Sequence, residues 1–96
     1  SSVFIYDSGQ VTISGSYSAP SSAGLIVCDS AVPITVSLPV SGGLGLTRIQ
    51  VKSVNVGKVT VDAAGSETID GELLQYVNQW DNMSIRDYAP TKWIIL

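Results

Sequence analysis

The chain has no histidine and only one cysteine among its 96 residues. The first absence removes the commonest general base and the commonest metal ligand. The second excludes an internal disulfide and a thiolate zinc cage. Charge is scarce too: 14% of residues are Asp, Glu, Lys or Arg, against about 25% in an ordinary globular domain. Five basic and eight acidic residues leave a net charge of −3, so the basic stripe of a nucleic-acid binder is missing. No run approaches the ~18 apolar residues of a membrane-crossing helix, and no membrane insertion is expected. The opening Ser1-Ser2-Val3-Phe4-Ile5-Tyr6 lacks the basic region of a signal peptide. It also lacks an initiator Met, and the chain is read as a piece of a longer or processed polypeptide. These absences lead us to expect a protein that is not an enzyme and carries neither cofactor nor metal.

Hydrophobic residues are plentiful, at 45%, which excludes intrinsic disorder. The length suits a single domain over 1–96. Nine Gly and four Pro cut the sequence into short segments rich in Val, Ile and Thr, the β-branched residues that fit a pleated sheet. Val11 to Tyr17, Ile34 to Leu38, Leu46 to Val54 and Met83 to Asp87 alternate apolar with polar, as strands with one buried face do. Leu25 to Cys28 is a continuous apolar run of strand length. Pro33 and Pro39 bound one segment, a position proline tolerates, and Asp70-Gly71 is a strong hairpin signal. Only 72–80 offers a helical alternative, with Leu73, Val77 and Trp80 spaced on one face. The spacing of about 8–12 residues between turns predicts an all-β, antiparallel sandwich or prism of short strands. No internal repeat of fixed period is evident.

From Leu25 onward, the order of motifs resembles a small β-rich module of bacteriophage tail fibres, tailspikes and related virion appendages. Leu25-Ile26-Val27-Cys28-Asp29 precedes Ile34-Thr35-Val36-Ser37-Leu38-Pro39, and then come Arg48-Ile49-Gln50-Val51-Lys52 and Val59-Thr60-Val61. Glu67-Thr68-Ile69-Asp70-Gly71 and Trp80-Asp81-Asn82-Met83-Ser84-Ile85 follow, and Thr91-Lys92-Trp93 leads the chain to its close. The likeness covers 24–96, about three quarters of the chain, and rests on the ordered series, since no one motif is specific. Tyr88-Ala89-Pro90 departs from it, standing where the pattern has Asp/Asn-Gly. The first twenty residues have no counterpart and would pair with a preceding segment or a neighbouring subunit. The resemblance implies a homotrimeric virion module, assembled in the host cytoplasm. Its partners would be its own copies, other virion proteins and a host cell-surface glycan or protein. Composition points towards self-association independently. A chain this short buries roughly two thirds of its unfolded surface, and it has no disulfide to reinforce it.

The acidic residues Asp62, Glu67, Asp70 and Glu72 cluster around two turns. A cation site or a glycosidase pair, with carboxyl groups about 5–10 Å apart, is weighed against turn-making by Asp70 and solvation by the others. The second reading is favoured. Gly42-Gly43-Leu44-Gly45 lacks the Lys-Ser/Thr of a phosphate loop and reads as a turn. Cys28 reads as a small buried hydrophobe. Trp93, ahead of Ile94-Ile95-Leu96, reads as core, a structural residue like Asp70, Gly71 and Pro39. The candidate ligand-binding residues are Tyr88, Trp80 and Tyr76, aromatics that can stack on sugars. Trp80 could equally lie in a subunit interface, and Tyr88 could instead cap the core edge. The rival to a virion module is a monomeric carbohydrate-binding accessory domain, which needs a flat row of exposed aromatics.

Overall fold

A computed structural model describes residues 10–96 and contains ten strands. They are β1 (Gln10–Ile13), β2 (Tyr17–Ser18), β3 (Leu25–Cys28), β4 (Ile34–Ser37) and β5 (Arg48–Ser53), followed by β6 (Val59–Asp62), β7 (Thr68–Ile69), β8 (Leu74–Val77), β9 (Asn82–Ala89) and β10 (Lys92–Ile95). They form a six-stranded sheet in the order β1-β3-β5-β9-β10-β7 and a four-stranded sheet in the order β2-β4-β6-β8. The all-β architecture is clear. Among the described residues no helix is long and apolar enough to cross a membrane.

The expected antiparallel arrangement is corrected: both sheets are mixed. β1, β3 and β5 are parallel neighbours in one sheet, and β2, β4 and β6 are parallel neighbours in the other. The chain winds from the first sheet to the second and back, so each return to a sheet runs in the same direction. Three such turns stack as rungs, like the repeats of a solenoid. Gln10 pairs with Leu25 and Leu25 with Gln50, so the rung length jumps from 15 to 25 residues. This unevenness hides the repeat from a search for a fixed period. The antiparallel strands come last: β8 runs against β6, β9 against β5, and β10 against β9. Within the first twenty residues, β1 and β2 pair with β3 and β4 of the same chain. Residues 1–9, including Tyr6, lie outside the described residues.

Alternation fills the space between the sheets. Ile26 and Cys28, Ile34 and Val36, Ile49 and Val51, and Val59 and Val61 point inward and are buried. Register stacks them: Val11, Ile26, Val51 and Met83 form one row across four strands. Burying each Val or Ile side chain contributes about 1.5–3 kcal/mol before entropy is counted. Ser53 breaks the apolar sequence of inward positions, and its hydroxyl donates to the Asn55 carbonyl at 3.1 Å.

The turns follow local chemistry. Asp70 and Gly71 both have positive φ between the bridged residues Ile69 and Glu72, the conformation a two-residue type I′ turn requires. Gly57 is fixed by crowding: a Cβ there would lie 2.5 Å from the Ser30 carbonyl oxygen. The helical alternative over 72–80 gives way to β8. Val77 is buried while Leu73 and Trp80 are exposed, so the three residues share no buried face.

Candidate functional site

Among the described residues two carboxylates lie inside the fold, and both hold one loop. Glu67 and Asp87 are buried. Glu67 accepts the Ser41 N–H at 2.9 Å and, more weakly, the Trp93 indole N–H at 3.4 Å. Asp87 accepts the Gly42 N–H at 3.1 Å through one oxygen and the Thr47 N–H at 2.9 Å through the other. Ser41 ties the same loop to the β9–β10 end, its hydroxyl donating to the Ala89 carbonyl at 2.9 Å. These bonds meet the requirement that buried charge be paired or hydrogen-bonded. Gly43, with φ +76°, lets the loop pack against Pro90. The glycine run is thus an anchored loop rather than a loose one.

This arrangement alters the reading of the acidic cluster. Glu67, expected to solvate a turn, is buried and accepts N–H groups from the backbone and from Trp93. Asp70 does sit in its turn, but its side chain accepts the Ile95 N–H at 2.9 Å and so docks the turn onto β10. Glu72 is exposed and Asp62 half-buried. Asp87 is not among the expected site residues, although a period of two places it in phase with the buried Met83 and Ile85. Among the described residues there is no group of three or more metal-ligating side chains and no enclosed pocket.

The rest of the polar and aromatic chemistry is on the outside. On the six-stranded sheet, Arg48 of β5 stands directly opposite Arg86 of β9, and Arg86 opposite Ile94 of β10. Tyr88 shares that face and is 50% exposed, and Leu46, two residues before Arg48, is 82% exposed. The four-stranded sheet presents Thr35 beside Thr60, and Thr60 beside Tyr76. The Lys58 ammonium lies 4.1 Å from the Tyr76 ring centroid, a cation–π contact. Tyr76 and Tyr88 therefore belong to different sheets, and the three candidate aromatics do not line up in one row.

Trp80 is the most exposed of them, at 62%. Its φ is +70°, at the third position of a turn closed by the Asp81 N–H on the Asn78 carbonyl. Glycine suits that position, and a bulky residue there is strained. The backbone nevertheless holds it firmly. Trp80 N–H donates to the Ser53 carbonyl at 2.8 Å, and its own carbonyl accepts from Lys52 Nζ at 2.5 Å. Trp93 has the opposite environment, buried at 1% exposure on β10 between β9 and β7. Pro39 follows β4 half-buried, and Gly71 completes its turn in the open. Cys28 is buried in the core, and its thiol is pushed up to about 11 by loss of solvent.

No family model, curated protein or solved structure matches the chain.

Proposed function

We propose that the chain is a non-enzymatic structural and attachment module of a bacteriophage virion, part of a tail fibre, spike or head appendage. It works as a homotrimer, beside other virion proteins, and meets a host-surface glycan or protein. The observation that carries this reading is the amount of apolar surface left outside. Among the described residues twelve large hydrophobics are exposed, Leu46, Leu44, Val40 and Trp80 among the most open of them. A small chain that leaves this much apolar surface in water fits one that covers it with a neighbour. Stacked parallel rungs suit a mechanical role, because each rung rests on the next. The motif order from Leu25 to Trp93 supplies the virion context.

The carbohydrate-binding alternative keeps one specific observation in its favour: a strained, solvent-facing indole at Trp80. Paired variants separate the two readings. Trp80→Ala and Tyr88→Ala should each weaken self-association while leaving the far-ultraviolet circular dichroism unchanged. A wild-type monomer that binds immobilised glycans, and loses that binding in Trp80→Ala, would contradict the virion-module reading.

A further inference from the structure

Opposing two arginines across a strand pair is unfavourable unless something negative lies between them. Arg48 and Arg86 are so opposed, and the Arg86 Nε is buried without an acceptor, the one such side-chain atom among the described residues. The Nε itself is shut off by the chain's own atoms, so the remainder of the half-buried guanidinium is what an incoming carboxylate meets, best through two parallel bonds. Lys52 adds a third cation along the same strand as Arg48, so a chain with net charge −3 carries three of its five basic residues on one sheet face. Apolar side chains flank the pair: Leu46, Tyr88, Ile94 and Leu96 are all exposed.

We propose that this face of β5, β9 and β10 is a docking site for a second copy of the chain, presenting Glu72 and Leu73. The inference rests on the self-associating reading above and names the surfaces that meet. Glu72, Leu73 and Leu74 put an exposed carboxylate directly before two exposed leucines, which complements a cationic pair ringed by apolar groups. Glu72 supplies the carboxylate to Arg48 and Arg86, and the leucines cover Leu46 and Tyr88. The type I′ turn holds the segment just past β7, the edge strand of the six-stranded sheet. The contact therefore joins the edge of one copy to the face of the next. Such a head-to-tail contact is heterologous, the kind from which closed rings are built. A two-fold contact centred on the arginines would instead crowd four guanidinium groups together.

A charge exchange between two exposed residues tests the pairing, with mass read by light scattering over a dilution series. Arg48→Glu and Glu72→Arg should each weaken association by roughly thirtyfold or more, as removing one partner of a desolvated charge pair does. The double variant should recover most of the loss. Arg48→Glu should also raise the thermal midpoint of the isolated subunit, because the introduced carboxylate would then pair with Arg86 inside the chain. A folding defect would lower it. Single variants that keep the wild-type mass, or a double variant that stays dissociated, would overturn these surfaces and leave self-association intact. A wild type that is monomeric at every concentration would overturn both.

Discussion

At the scale of single residues, Trp80 shows how a side chain can be kept against local preference. A non-glycine residue in the left-handed region loses about 1–2 kcal/mol. Trp80→Gly should therefore leave the subunit as stable or stabilise it by about 1 kcal/mol in urea unfolding, while weakening whatever the indole contacts. A loss of several kcal/mol would instead mean that the indole supports its own subunit. Cys28 gives a second residue-scale prediction. Its thiol ionises near 11 in the folded chain against 9.0 when solvated. Both states keep the proton below pH 9. Between pH 9 and 11 the unfolded chain ionises first, so unfolding gains free energy and stability falls as pH rises. Thiol reagents at about pH 8 should label the native chain only at the rate of unfolding, whereas prompt labelling would contradict the burial.

At the scale of elements, the loop after β4 is shaped by Asp87 and Glu67 rather than by its glycines alone. Asp87→Ala would leave the Gly42 and Thr47 N–H groups without this acceptor, at about 1–3 kcal/mol for each. Hydrogen exchange should speed up at those two amides and at Ser41 before it does in β3 or β5. Uniform acceleration would show that Asp87 supports the whole core instead. This element also marks how far sequence reading reaches. Strands are legible because alternation reports a buried face, and the Asp70-Gly71 turn because few residue pairs tolerate two positive φ angles. Strand direction is not legible: Ile34-Thr35-Val36 alternates identically beside a parallel or an antiparallel neighbour. Rungs of unequal length conceal the winding that decides it. The inward place of Asp87 is available from its phase with Met83 and Ile85, but carboxylates are so seldom fully buried that alternation alone does not single it out. Nothing local signals that Trp80 would occupy a glycine position, since that follows from how β8 reaches β9.

At the scale of the whole molecule, the two sheets bury their inner faces well and leave unlike outer faces. One carries cations among leucines and aromatics, the other threonines, Tyr76 and a half-buried Asp62. A two-fold contact through the cationic face would set like charges against each other, which head-to-tail assembly avoids. The most direct test of this account is the solution mass, by sedimentation equilibrium from micromolar to nanomolar concentration. The account predicts a species near three times 10.1 kDa that persists into the submicromolar range. A 10.1 kDa monomer at every concentration would contradict it.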